Sequence, residues 1–323
     1  MDALVTGAAG FIGSNLCRRL VAEGYRVRGL DDLSDGSLEN LADVPAIDFI
    51  EADLRDGAAI TQAARGVDVI FHQGAKRSVP RSLEEPVLTT EVNVGGTLNV
   101  LLAAAATDAR VVAASSSSVY GEQDVMPQVE TMSPRPRSPY AASKLAGEAY
   151  CRAYWVASGV RAISMRYFNV YGPGQSPESE YAAVVPKFIL ACVDGTRPVV
   201  HGDGEQARDF TYIDDVVEAN LLAARADDAA QGAAFNIGGG AEPTSINRIL
   251  ALAAGLTGAT PDPIRAPERA GDVRRTDADI SLARSLLGFG PSVRIEDGMA
   301  RTVAAFTGSS VSLPDLDGPA ATA

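Results

Sequence analysis

At 323 residues the chain is long for one hydrophobic core and ordinary for an α/β domain carrying a smaller second one. Its composition is that of a globular protein, and a net charge of −13 disfavours non-specific binding to nucleic acid or to anionic membranes. A phosphorylated ligand would therefore need a locally basic patch.

Residues 3–6 predict a short buried strand running into Gly7-Ala8-Ala9-Gly10-Phe11-Ile12-Gly13, and residues 14–23 an amphipathic helix ended by Gly24. The glycines divide the work. Gly7 permits the tight turn, Gly10 lets a pyrophosphate approach the backbone, and Gly13 lets helix and strand pack closely, with the helix N-terminal amides aimed at the anion. A second strand at 26–30 ends in Asp31-Asp32, where a carboxylate accepts adenosine ribose hydroxyls and favours NAD over NADP. The Gly-x-x-Gly-x-x-Gly spacing takes its weight from this strand, loop, helix, strand, acid context.

The alternation continues. A strand at 47–50 leads to Asp53-Leu54, and another at 67–71 ends in His72-Gln73-Gly74-Ala75-Lys76, both at strand C-termini where open parallel sheets bind ligands. Asp53 is a candidate for the adenine amine and Lys76 for a ribose or phosphate; a solvated Asp and a surface Lys are the plain alternatives. Asn93-Val94-Gly95-Gly96-Thr97 reads as the cap of a long helix to residue 106. His72 and His201 are the only histidines, and without a carboxylate partner at ligand spacing they predict no metal.

The chemistry is placed on residues 111–144. An apolar run, 111–114, discharges into Ser115-Ser116-Ser117-Ser118-Val119-Tyr120-Gly121, and Tyr140 and Lys144 follow at the start of an Ala-rich helix over 141–154. Four residues apart, they share a helix face. An ammonium beside a phenol favours the phenolate and lowers its pKa from about 10, towards a base able to take an alcohol proton. The bland reading of a lone Tyr-x-x-x-Lys, a tyrosine packed on a lysine stem, loses ground to the upstream serines.

A sixth strand is expected at 162–166, after which the rhythm changes: helix 181–193, strand 198–201, helix 214–225, strand and turn 235–238, helix 246–256. Arg166, Lys187, Arg208 and Arg269 are the basic residues that could supply a pyrophosphate patch. Residues 307–323 read as a disordered tail. Cys17, Cys151 and Cys192 fit neither a disulfide framework nor a Cys-x-x-Cys site and read as reduced packing residues of a cytoplasmic protein. No signal-peptide pattern opens the chain, and no apolar run reaches the roughly 18 residues of a spanning helix, so an unprocessed chain without a membrane partner is expected.

With these residues assembled, the chain resembles the extended short-chain dehydrogenase/reductase family, and within it the UDP-hexose 4-epimerases. The likeness covers about residues 3–306 and rests on the glycine turn, the serine run with Val119-Tyr120-Gly121, Tyr140 to Lys144, Arg166 to Gly172 and Gly202 to Phe210. Ser78 to Ser82 and residues 181–187 look most like bacterial enzymes that accept N-acetylated sugars.

The resemblance implies a Rossmann-type doubly wound parallel sheet with a smaller α/β substrate-binding domain. NAD is held by residues 1–165 with contributions from about 210–237, and substrate mainly by 166–306. Tyr140 is then the base, Lys144 its pKa-lowering partner on the nicotinamide ribose, and Ser116 the residue sharing the sugar's 4-hydroxyl. Cofactor contacts fall to Gly7, Gly10, Phe11, Ile12, Gly13, Asp31, Asp32, Asp53, Leu54, Lys76 and Asn93. Substrate contacts fall to Ser78, Ser117, Ser118, Asn169, Lys187, Arg208 and Arg269, and Thr276 sets the room beside C2. A transient 4-keto sugar that swings about its pyrophosphate gives C4 epimerisation of a UDP-sugar, and a homodimer is the family expectation. A dehydratase would want an acidic residue where Ser117 and Ser118 stand; a uronate 4-epimerase or decarboxylase would want a cation for the C6 carboxylate, often an arginine where Ser176 stands here, with Arg77 or Arg81 as substitutes; a silent NAD-binding regulator would not need Tyr140.

Overall fold

The computed structural model describes residues 1–44, 46–176, 183–268 and 273–308. Seven parallel strands form the central sheet: β1 (Asp2–Thr6), β2 (Arg26–Asp31), β3 (Asp48–Glu51), β4 (Val69–His72), β5 (Arg110–Ser116), β6 (Ala162–Tyr167) and β7 (Ala234–Ile237). Their spatial order is β7-β6-β5-β4-β1-β2-β3, so the winding reverses between β1 and β4. β2 and β4 both pair with β1 in parallel, Leu4 lying opposite Arg28 on one side and Ile70 on the other. A crevice opens beyond the strand C-termini at such a reversal.

Near-continuous burial of β1, β4 and β6 explains why these short runs are strands: parallel strands covered on both faces carry apolar residues without alternation. Helix α1 (Phe11–Ala22) packs Leu16, Cys17 and Leu20 onto the sheet and turns Arg18 and Arg19 outward to Asp43 and Glu23. On the opposite face lie α2 (Gly57–Ala63), α3 (Gly96–Thr107) and α4 (Pro139–Ser158). Helix α4 starts two residues before the predicted 141, because Ser138 caps it through the Ala141 amide and Pro139 suits the first helical position. Gly159, with φ of 69°, ends it.

Two expectations are corrected. Asn93 does not cap a helix: Pro86–Thr90, a π turn at Glu91–Gly95 and α3 form one continuous helical run with Asn93 buried in its middle. That run, Pro86–Thr107, is long and apolar enough to cross a membrane, and half of its most apolar window is buried inside the protein as a core helix. The scattered threonines and Glu91 hid its length in the sequence. Thr307 belongs to the helix Ile295–Thr307, closed by Gly308, and the remaining residues of the expected tail lie outside the described ones.

Beyond β6 the chain builds a second layer over the strand ends. It contains α5 (Val184–Asp194), α6 (Ile213–Arg225), α7 (Ile246–Thr257) and two-residue pairings of Val170–Tyr171 with Thr211–Tyr212 and Ala207–Arg208 with Thr244–Ser245. Helix α6 packs back on α1, and β7 adds the sheet's edge strand. The three cysteines are buried and unpaired. His72 bonds the hydroxyls of Thr6 and Thr97, and His201 the Pro267 carbonyl, so both ring systems are tied to structure.

Candidate active site

A cavity of about 630 Å3 runs along the strand ends, from the turn before α1 to the serine run and the head of α4. Its floor is backbone. A Cβ on Gly13 would lie 2.0 Å from the Gly7 carbonyl oxygen, and one on Gly7, at φ of 69°, would lie 2.6 Å from the Gly74 nitrogen. Gly10 N-caps α1 without a side-chain cap, which leaves the first amides of a twelve-residue helix at the cavity. That combination accepts the pyrophosphate of a dinucleotide.

At the end of β2, Asp31 accepts the amides of Ala9 (3.0 Å) and Leu33 (2.9 Å), which fix its carboxylate on the cavity wall beside Asp32. Burial raises the Asp31 pKa against those two hydrogen bonds. Leu54, Phe11 and Ile12 also line the wall. Lys76 reaches Ser34 Oγ at 2.6 Å and Asp35 at 3.2 Å. Its backbone is clamped on both sides by Asn93, which accepts from the Lys76 amide (2.7 Å) and donates to the Lys76 carbonyl (3.0 Å). Asn93 itself does not line the cavity; it also donates to Ser143 Oγ, whose hydroxyl bonds the Tyr140 carbonyl, and so couples the β4 loop to α4.

Tyr140, Lys144, Ser116, Ser117 and Ser118 share the other end. Tyr140 and Ser116 line the same wall, and Ser116 Oγ accepts from the Ser118 amide and hydroxyl. Against the expectation from sequence, burial holds the Tyr140 pKa above its ordinary value, and the opposing influences are the Ser116 hydrogen bond and the Arg77 charge rather than Lys144. Lys144 instead donates to the Ala114 carbonyl at 2.8 Å, and burial lowers its own pKa to about 8 with Glu148 opposing.

Beneath the serines lies a buried polar network. Ser115 donates to Glu148, which holds Arg166 through two contacts of 2.7 and 2.9 Å; Arg166 donates to Tyr120 OH, and Tyr120 donates to Asn236. Arg166 is therefore spent on this network and leaves the basic patch expected of it.

Across the cavity, Asn169, Arg208 and Thr276 complete the wall, and Asn169, Val170 and Arg208 also line a second cavity of about 540 Å3. Asn169 sits at φ of 28° and donates to the Asp209 carbonyl and Thr276 Oγ1. The second cavity adds Lys187 and Arg197 with Val184, Phe188 and Phe210, so that with Arg208 its aromatic and aliphatic walls stand beside three cations.

Some expected residues stand elsewhere. Asp53 is gripped by Arg55 at 2.6 Å, which lowers its pKa, and it lies off the cavity wall. Ser78 caps the short helix Val79–Glu84 through the Arg81 amide. Arg269 lies outside the described residues. Phe210, Arg137 and Gln175 line the cavities without a role read from sequence, although Phe210 closes the Gly202 to Phe210 stretch and Gln175 follows the Arg166 to Gly172 one.

The model of the NAD dependent epimerase/dehydratase family matches residues 3–238. A UDP-glucose 4-epimerase of Mycolicibacterium smegmatis is 42% identical over 316 residues, covering 96% of this chain and all of the relative. A Thermotoga maritima UDP-glucose 4-epimerase solved with UDP-glucose superposes with a TM-score of 0.90 at 36% identity, covering 95% of this chain and 99% of that one. A Thermus thermophilus UDP-glucose 4-epimerase complexed with NAD gives 0.87 at 37% identity, with the same coverage.

Proposed function

The chain belongs to the NAD dependent epimerase/dehydratase family, and from that premise we propose that it interconverts C4 epimers of a UDP-hexose. The observation that carries the reading is the meeting of Tyr140, Ser116 and Lys144 with the glycine turn of α1 in one cavity. NAD is the family's cofactor, and when bound it supplies a reversible two-electron acceptor for C4. Gly7, Gly10 and Gly13 admit its pyrophosphate; Asp31 orients a ribose. Tyr140 takes the 4-hydroxyl proton while Ser116 shares the same oxygen, and Tyr140 returns the proton after the 4-keto sugar has offered its other face. Asn169, Arg208 and Lys187 hold the diphosphate, and the walls around Phe210 take the base.

Thr276 is small enough beside C2 to admit an N-acetyl group as well as a hydroxyl. The exposed apolar residues Leu102 on α3 and Val156 on α4 suit a homodimer built on these helices. A uronate reading has one observation in its favour, the cation Arg77 on the same cavity wall. A relative at 33% identity, from Thermodesulfobacterium geofontis, is a UDP-glucuronate 4-epimerase. Incubation with UDP-glucose, UDP-N-acetylglucosamine and UDP-glucuronate in parallel separates the readings. Equilibration of C4 in the first two supports the proposal, and conversion of the uronate alone overturns the substrate assignment.

A further inference from the structure

Asp209 is 2% exposed and lines neither cavity, yet its neighbours on every side do. Its carboxylate is held by two backbone amides, Gly239 at 2.6 Å on Oδ1 and Ala278 at 3.1 Å on Oδ2. Its main chain is equally engaged. The amide donates to the Thr276 carbonyl at 3.0 Å, and the carbonyl accepts at 2.9 Å from Asn169 Nδ2, which also reaches Thr276 Oγ1 at 3.1 Å. A short parallel ladder joins residues 207–209 to 274–276, through Ala207 with Arg274 and Thr276 and through Asp209 with Thr276. The carboxylate closes the end of that ladder, one oxygen on the chain just past Thr276 and the other on the turn that follows β7. Two consecutive glycines make the space for it: a Cβ on Gly238 would lie 2.6 Å from Asp209 Oδ2, and one on Gly239 2.4 Å from the Phe210 carbonyl oxygen.

We propose that Asp209 is a positioning residue for the substrate: its carboxylate clamps the end of the ladder so that Arg208 and Thr276 keep a fixed spacing, one on the diphosphate and the other beside C2, while Asp209 itself touches neither. A carboxylate in so dry a place is tolerated only while donors serve both oxygens, so the three segments it joins cannot drift apart without exposing an unpaired charge. The ladder alone fixes residues 207–209 and 274–276 alongside each other; the carboxylate ties that pair to the end of β7, and thereby to the sheet that carries the serine run. Without it, Thr276 has room to retreat from C2 and Arg208 loses its fixed place at the junction of the two cavities. Affinity for the nucleotide then falls, and the larger C2 substituent gains relative to the hydroxyl.

The inference rests on the UDP-hexose reading, in which Arg208 and Thr276 play those parts. Its test is steady-state kinetics with UDP-glucose and UDP-N-acetylglucosamine, and calorimetric titration with UDP, for wild type, Asp209→Asn, Asp209→Ala and Gly238→Ala. Loss of the clamp should raise KM and the dissociation constant for UDP about five- to tenfold, lower kcat by less than about twofold, and shift kcat/KM towards the N-acetylated sugar by roughly threefold. Asp209→Asn keeps the size and one accepting oxygen, and should lie between wild type and Asp209→Ala. Gly238→Ala drives Oδ2 away and should reproduce the pattern, and combining it with Asp209→Ala should cost little more than either alone. A lowered Tm with KM, UDP binding and C2 preference all unmoved overturns the inference, as do fully additive losses in the double variant. Should Asp209→Ala not fold, Asp209→Asn and Gly238→Ala decide. If wild type epimerises neither sugar, the proposed function fails while the UDP titrations still judge Asp209; if wild type is active and the variants bind UDP normally with unchanged preference, only the role of Asp209 fails.

Discussion

The two cavities meet at Asn169, Val170 and Arg208 but are built differently. The first is lined by the ends of long parallel strands and by a helix whose backbone must pass close to its neighbours, so its geometry is set by main chain. The second is lined by side chains of α5 and of short strands such as Val170–Tyr171, Val199–His201 and Ala207–Arg208. The first can orient reacting atoms closely; the second can grip a ligand without taking part in its chemistry. Damage to the first should appear in turnover or cofactor retention, and damage to the second in substrate affinity.

The hardest test of that contrast is Tyr140→Phe. It should cost about 10²–10⁴-fold in kcat with little change in UDP-sugar affinity, measured by kinetics and by titration calorimetry. Equal losses in both would erase the distinction. Gly13→Ala comes next: a methyl 2.0 Å from the Gly7 oxygen forces α1 off the sheet, so copurified or added NAD should bind weakly and Tm should fall by several degrees. Arg208→Leu should raise the dissociation constant for UDP by roughly tenfold or more, the scale of a lost charge-assisted bond, while kcat at saturation changes far less.

The smallest effect is on stability. Burial raises the Asp209 pKa from 3.8 to about 6, despite the amides of Gly239 and Ala278. Its folded-state value is the higher, so its contribution is fully present below about pH 4 and is lost as pH rises through about 6. Denaturant unfolding at pH 4 and pH 7 should show this as a slope on the order of 2 kcal/mol, absent from Asp209→Asn. Because Asp209 follows Arg208 and its carbonyl accepts from Asn169, two residues that both cavities share, its loss should loosen substrate affinity before it touches turnover.

The same contrast governs what could be read from the chain. Glycine spacing, an acid at the end of the second strand, and Tyr140 with Lys144 on one helix face are local facts, dictated by backbone geometry within a few residues. The cavity lining contains Gly7, Gly10, Gly13, Asp31, Tyr140, Lys144 and Ser116 together. Where a residue's role depended on which partner packing would bring, the sequence was mute. Asp53 met Arg55 two residues on, Arg166 met Glu148 on another element, and Asn93 met the backbone of Lys76. Lys144 shared a face with Tyr140 as helical spacing requires, yet its ammonium found a carbonyl on β5, a partner no spacing announces. The second cavity was least legible, since two-residue pairings such as Ala207–Arg208 with Thr244–Ser245 carry no periodicity to detect.

The network from Ser115 through Glu148 and Arg166 to Tyr120 and Asn236 joins β5, α4, β6 and β7 under the serine run. Breaking a buried pair of this kind costs about 3–5 kcal/mol, so the shelf carrying phenol and hydroxyl has no cheap way to tilt. Between the two halves of a turnover the sugar ring must do the travelling, and the shelf receives whichever side is presented.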